Sequence, residues 1–401
     1  MDLHSGLPFW LIKSGLPFNY YPLDRSLTTD VAIIGGGISG ALAAYYLTSA
    51  GISCIVLDAR TIGLGSTCAS TALLQYEIDV PLCRLKEKTG IKKAARAYHL
   101  CRQAIEKLGA IAGTIKCTDY QPKHSLYFAA HKKDEGFLKE EYNIRKQQGF
   151  NVDFLSPSQL KLDYGFTAPA GILSHHGSQL NAYMYTHELL QYSIKKGLLV
   201  FDRTEVTHAR HKQKSVELTV ANGCKIKALK LVYASGYETV KYIDKKIVAL
   251  HSTYAVISEN MSQQKPFWKD DALLWNTANP YLYMRTTIDN RIICGGRDEA
   301  FFNPTKRDAL IGKKTRLLVK DFSGLFPGIA FKPEFSWTGV FGSTTDGLPF
   351  IGPYKKLPNS FFALGFGGNG ITFSQVAAEI LLDHVKGKKN RDAALFSFER
   401  L

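Results

Sequence analysis

The 401-residue chain has no C-x-x-C pair, and no histidine or cysteine spacing that suits a zinc site. His175 and His176 are adjacent, so they cannot face one way as a helical ligand pair. No uninterrupted apolar run is long enough to cross a membrane. Asp2 and other charges precede any sustained apolar stretch, so the N-terminus does not read as a signal peptide. Cysteines stand at 54, 68, 83, 101, 117, 224 and 294, an odd number that cannot all pair within one chain. Such usage suits a reducing compartment. No nucleophile, base and orienting acid announce themselves by spacing, so metal-ion and triad chemistries have little to build on.

What is present is an ordinary soluble balance, 45% apolar and 21% charged, in a chain long enough for two domains or one large α/β unit. Fifty basic against 35 acidic side chains give a formal charge of +15. That field favours anionic cofactors or substrates. The lysines are nevertheless scattered in pairs such as Lys92-Lys93 and Lys132-Lys133, as on a solvated face. Only Lys386 to Arg391 forms a basic cluster. No specific nucleic-acid partner is expected. The expected location is the cytoplasm, with peripheral contact to the inner face of the membrane as the alternative.

The most informative stretch is Asp30 to Asp58. Val31 to Ile34 reads as a buried strand, and Gly35, Gly37 and Gly40 then fill the G-x-G-x-x-G positions. Ala41 to Ala50 continues as a small-residue helix, Gly51 stops it, and Ile52 to Leu57 is a second strand. Gly35 permits the tight turn, Gly37 lets the backbone approach a pyrophosphate, and Gly40 lets the helix press on the sheet. Ile38 and Ser39 open that helix, whose free N–H groups and positive end suit a pyrophosphate. Asp58 closes the second strand at a spacing suited to a ribose hydroxyl. A dinucleotide site is expected here.

Further along, Ala59 to Ala72 is rich in glycine and small hydroxyl residues, which permits close approach to a flat ligand. Ser66, Thr67 and Ser70 offer hydroxyls, while Cys68 is either a small buried thiol or a covalent link to a cofactor. Glu77 and Asp79 either orient a cationic substrate or belong to a surface loop. Ile91 to Ala112 is helical in pattern, Lys116 to Thr118 and Ser125 to Ala130 look like strands, and Asn181 to Lys196 is amphipathic. Leu229 to Tyr233 is an apolar strand running into Ala234-Ser235-Gly236, which is either a tight turn or a close pass by a nucleotide. Tyr281, Tyr283 and Arg285 alternate along a strand and would share one face. Two phenols and a guanidinium either grip a carboxylate or form a covered sheet face. Phe361 to Leu364 precedes Gly365 to Ile371 and a long helix, so a second helix start with backbone donors is expected to face a ligand.

Together these segments resemble the D-amino-acid-oxidase-type FAD-dependent oxidoreductases, which include glycine and sarcosine oxidases, D-amino-acid dehydrogenases and γ-glutamylputrescine-type amine oxidoreductases. The resemblance spans most of residues 30–385. It implies an α/β fold: a Rossmann-like FAD-binding domain with an inserted α+β substrate domain on a mixed, largely antiparallel sheet. Residues 1–90, 165–240 and 339–401 are expected to build the FAD domain, and 91–164 and 241–338 the substrate domain. For FAD the resemblance implies Gly35, Gly37, Ile38, Ser39, Gly40 and Asp58 at the AMP half. It adds Ala59, Arg60, Gly65, Ser66, Thr67, Cys68, Ser70 and Thr71 at the pyrophosphate and flavin. Val206 fits the adenine side, with Ala234, Ser235 and Gly236 at the second nucleotide signature. Asp346 belongs to the C-terminal turn Thr345 to Gly352 and Gly342 to the region just before it, while Gly367, Gly368, Asn369, Gly370 and Ile371 belong to the loop beneath the flavin.

Two departures qualify the resemblance. Gly342-Ser343-Thr344 lacks the arginine that many relatives carry there, which weakens the case for an α-amino acid held in the standard manner. No cysteine stands at the C-terminal flavin-linking position, which favours non-covalent FAD. The implied chemistry is oxidation of the C–N bond of a small amine or amino acid by hydride transfer to flavin N5, with oxygen or another electron acceptor completing the cycle. Arg285, Tyr283 and Tyr281 are the expected substrate-facing side chains. A dehydrogenase of 2-hydroxy acids or polyol phosphates, and a non-catalytic flavin-binding module, are the alternatives.

Overall fold

The computed structural model describes residues 1–400, organised around two sheets. The first begins with Leu27–Ile34, whose inner residues Val31, Ala32 and Ile33 are buried. Cys54–Leu57 lies parallel on one side of it and Lys225–Tyr233 parallel on the other. Leu199–Phe201 and Ser360–Leu364 extend the parallel core outward. Parallel strands covered on both faces read as unbroken apolar runs, which is why CIVL and SFFAL are buried throughout. Phe350–Gly352 and the hairpin strands Val206–His211 and Val216–Val220 complete this eight-stranded sheet. Helices Ile38–Ser49 and Gly370–Val385 pack against one another.

The second sheet has ten strands, and only the Leu273–Asn276 and Gln121–Phe128 pair is parallel among its neighbours. The expected division into a Rossmann-like unit and a mixed, largely antiparallel sheet therefore holds, and strand membership of the two sheets cuts across the expected boundaries. Gly171–Gln179 pairs with Gln121–Phe128 and Val152–Leu155 in the ten-stranded sheet, although residues 165–240 were expected in the FAD domain. His4–Gly6 and Leu73–Gln75 belong to that sheet too, and Pro333–Ser343 straddles the expected break at 339. Sheet membership is decided by remote backbone partners, which local pattern does not carry. Lys116 to Thr118 is not a strand: Lys116 takes a left-handed φ of 61° and ends helix Ile91–Ile115. None of the described helices is long and apolar enough to cross a membrane.

One buried ionic cluster sets the backbone that leads to the cleft. Arg145 donates to Glu141 Oε1 at 2.7 Å and to Glu77 Oε1 at 3.1 Å, with all three side chains almost wholly buried. Glu141 also accepts the Leu82 and Cys83 N–H groups at the start of helix Leu82–Thr89. Burial alone would raise the Glu141 carboxyl, but Arg145 and these donors hold it below the usual range. Glu77 is fixed further by the Ser174 hydroxyl at 2.5 Å. Removing the guanidinium would strand two carboxylates without a counter-charge. Arg145→Met is therefore expected to destabilise the protein by about 3–5 kcal/mol in denaturant unfolding; a loss below about 1 kcal/mol would show that the cluster is dispensable.

Candidate active site

The first strand delivers the turn at residues 35–40 to the edge of a cleft of about 450 Å³ between the two sheets. Gly35 has φ of 111°, and a β-carbon there would strike the Ala234 carbonyl oxygen. One on Gly40 would land on the Gly35 carbonyl, so Gly40 serves helix-to-strand packing and does not itself line the cleft. The Ile38 N–H donates to Thr67 Oγ1 at 3.1 Å, and a β-carbon on Gly37 would meet the same hydroxyl. Asp58 does more than wait for a ribose. Its Oδ2 accepts the Gly36 N–H at 2.7 Å and its Oδ1 the Arg60 N–H at 2.8 Å, tying the second strand end into the turn.

Most of the predicted cofactor residues line this one cleft. They include Gly35, Gly37, Ile38, Ser39, Asp58, Ala59, Arg60, Gly65, Ser66, Thr67, Ser70 and Thr71, with Val206 and Ala234 to Gly236. From the other end of the chain come Gly367, Gly368, Asn369, Gly370 and Ile371. Asn369 Nδ2 donates to the Gln75 and Glu77 carbonyls at 3.1 and 2.8 Å, and the Gly368 N–H to Asp79 Oδ2 at 2.7 Å. Ser39 and Ser374 hydroxyls meet at 2.7 Å between the two helix starts.

Besides Gly40, four predicted residues are corrected. Cys68 does not line the cleft: it is fully buried against Gly65 O at 3.3 Å and His4 Nε2 at 3.4 Å. Asp346 pairs instead with Arg400, at 2.8 and 3.0 Å, and accepts the Leu348 N–H, so the turn motif anchors a C-terminal segment. Gly342 stands behind the glycine loop, where its carbonyl takes the Gly367 N–H at 3.0 Å. Arg285 is withdrawn from the cleft. Its Nη1 donates to the Ala72 and Leu180 carbonyls at 3.0 and 3.1 Å, and its guanidinium lies 4.9 Å from the Trp10 ring. The strand runs Tyr283–Thr286, so Tyr281 precedes it, and helix Phe9–Ser14 covers its face at Arg285.

Tyr281 and Tyr283 do line the cleft, their rings 5.9 Å apart on the wall formed by the ten-stranded sheet. Burial pushes both phenols up, so they stay protonated and act as donors and apolar surfaces. Thr253, Trp337, Phe341 and Asp298 also stand on that wall, and all four escaped the sequence reading. Asp298 was hidden by a register shift opposite Ser252 and Tyr254, where Gly296 and Arg297 take φ of 132° and 57°. Such a bulge re-aims a side chain, and simple alternation does not reveal it.

The sequence profile of the family described as DAO, FAD dependent oxidoreductase, matches residues 30–384. The chain belongs to this family. It is 23% identical over 393 residues to the γ-glutamylputrescine oxidoreductase of Escherichia coli (strain K12), covering 92% of this chain and 86% of that one. Glycine oxidase of Geobacillus kaustophilus (strain HTA426) is 25% identical over 384 residues, covering 92% and 97%. Among solved structures, glycine oxidase from Geobacillus kaustophilus superposes with a TM-score of 0.79 at 20% identity, covering 93% of this chain and 99% of that one. L-proline dehydrogenase from P. horikoshii gives 0.79 at 17% identity, covering 94% and 99%.

The cleft of this FAD-dependent oxidoreductase suits its cofactor. Ser66 Oγ is buried there without a partner, as a hydroxyl awaiting a phosphate would be. The glycines leave room where a β-carbon would meet Asp79 and the Tyr281 hydroxyl, as it would at Gly368. Asp298 is the strained member. Burial pushes its carboxyl up to about 6, with Thr253 opposing and Asp79 adding to the rise. The folded value lies above the ordinary 3.8, so the native state holds the proton after the unfolded chain has released it. Stability is therefore lost as pH rises from about 4 through about 6, and the loss stays constant above. Asp298→Asn is expected to stabilise the protein relative to wild type at pH 8, by up to about 3 kcal/mol, and hardly at all near pH 4. Thermal unfolding at the two pH values checks this; an equal difference at both would contradict it.

Proposed function

We propose that this oxidoreductase oxidises the C–N bond of a small amine or amino acid. The observation that carries the reading is the single cleft in which residues 35–39 and 367–371 meet, opposite the Tyr281 and Tyr283 wall. Relatives named as glycine oxidase, γ-glutamylputrescine oxidoreductase and D-amino acid dehydrogenase support it. Bound FAD supplies the two-electron acceptor for such a reaction. The residues at 35–39 and Asp58 would hold its AMP half, the Gly65 to Thr71 segment its pyrophosphate and flavin approach, and Val206 with Ala234 to Gly236 its adenine side. The Gly367 to Ile371 segment would sit against the flavin, where the start of helix Gly370–Val385 favours negative charge.

Tyr281 and Tyr283 orient the substrate through their rings and hydroxyls and do not serve as bases. With Cys68 outside the cleft, the cofactor is held without a covalent link. Two domains follow the two sheets, with oxygen or another small acceptor reoxidising the cofactor. Seven free cysteines suit a reducing compartment, and we place the protein in the cytoplasm.

Acid precipitation of the holoprotein is expected to leave FAD in the supernatant, and anaerobic mixing with a panel of amines and amino acids to bleach the flavin. Flavin that bleaches only with 2-hydroxy acids, or only with NADPH, would replace the proposed reaction.

A further inference from the structure

The charged groups around the cleft are distributed unevenly. Its lining contains two cationic side chains, Arg60 and Lys241, and both stand on the nucleotide side. Arg60 is already committed to Glu238, at 2.8 and 2.9 Å. The wall contributed by the ten-stranded sheet carries no lysine or arginine; its one charged residue is Asp298. Neighbouring cations are engaged elsewhere. Arg297 forks onto Asp321, Lys314 donates to the Arg297 carbonyl at 2.7 Å and pairs with Glu299, and Arg285 is buried under Trp10. Asp298 Oδ1 is buried with no hydrogen-bond partner. The Asp79 carboxylate is satisfied by the Gly368 N–H at 2.7 Å and the Tyr281 hydroxyl at 3.2 Å.

A half-buried carboxylate whose inner oxygen has no partner is unfavourable unless something in the cleft completes it. Tyr281, Tyr283, Trp337 and Phe341 line the same cleft, and aromatic faces attract cations. A substrate carboxylate placed against this wall would meet an acid and π-faces, and no guanidinium. We infer that Asp298 selects the substrate by pairing with its ammonium group, and that the preferred substrates are cationic amines bearing no carboxylate beside the reacting nitrogen. This deepens the proposed C–N oxidation and rests on it. Asp298 is a specificity-determining residue in this assignment, supplying the counter-charge that Arg285 was expected to supply with the opposite sign.

The test uses two probes of matched shape, tert-butylammonium and pivalate. Neither has a hydrogen on the carbon that would be oxidised, so binding is read without turnover. Each is titrated into the FAD-loaded protein at pH 8, followed by flavin absorbance and by calorimetry. The ammonium is expected to bind at least about tenfold more tightly than pivalate, as one charge-assisted hydrogen bond provides. Asp298→Asn should weaken the ammonium by about tenfold or more and leave pivalate unchanged or tighter, while Asp298→Glu restores part of the loss. Equal or tighter binding of pivalate, no binding of the ammonium, or an ammonium affinity indifferent to Asp298→Asn would overturn the inference. Failure here beside flavin bleaching by amino acids leaves C–N oxidation standing. Ammonium binding through Asp298 without bleaching by any amine or amino acid would instead sink the reaction class and keep the cation site.

Discussion

The side-chain amide of Asn369 joins two parts of the chain that lie almost three hundred residues apart. By donating to the Gln75 and Glu77 carbonyls it fixes the late glycine loop to the segment that follows the first nucleotide half. The adjacent Gly368 N–H on Asp79 adds a second tie, and the Ser39 and Ser374 hydroxyls a third. The receiving segment is itself immobilised, because Glu77 belongs to the buried cluster with Arg145 and Glu141. Rigidity thus passes from an ionic core to the backbone of the cleft. A site built on such supports is held in shape before any ligand arrives.

The two walls of the cleft divide the work. The parallel sheet ends in glycine turns and helix starts, which offer N–H groups and space to a nucleotide. The antiparallel sheet offers side chains: two phenols that burial keeps protonated, aromatic faces and one acid. Such a division would let the substrate wall change without disturbing the nucleotide wall.

Much of the nucleotide wall was legible in the sequence because its signals are local. A strand, a turn that tolerates only glycine at Gly35 and Gly40, a helix and a closing acid lie within thirty residues. The glycine loop before the last helix was readable for the same reason. The substrate wall was less so. Tyr281 and Tyr283 followed from alternation, but Arg285 continued the same alternation into a region roofed by Phe9–Ser14, a tertiary fact. Asp298 was displaced by a bulge, and Asp346 was claimed by Arg400, fifty-four residues later. Membership of Gly171–Gln179 in the second sheet depended equally on distant partners.

The central claim is that one FAD is held at its two ends by segments from opposite ends of the chain. The most direct test is calorimetric titration of the apoprotein with FAD and, separately, with ADP, in wild type and in Asn369→Ala. The predicted result is an FAD affinity lowered by about tenfold or more, with ADP affinity unchanged. Equal weakening of both ligands, or of neither, would contradict the account.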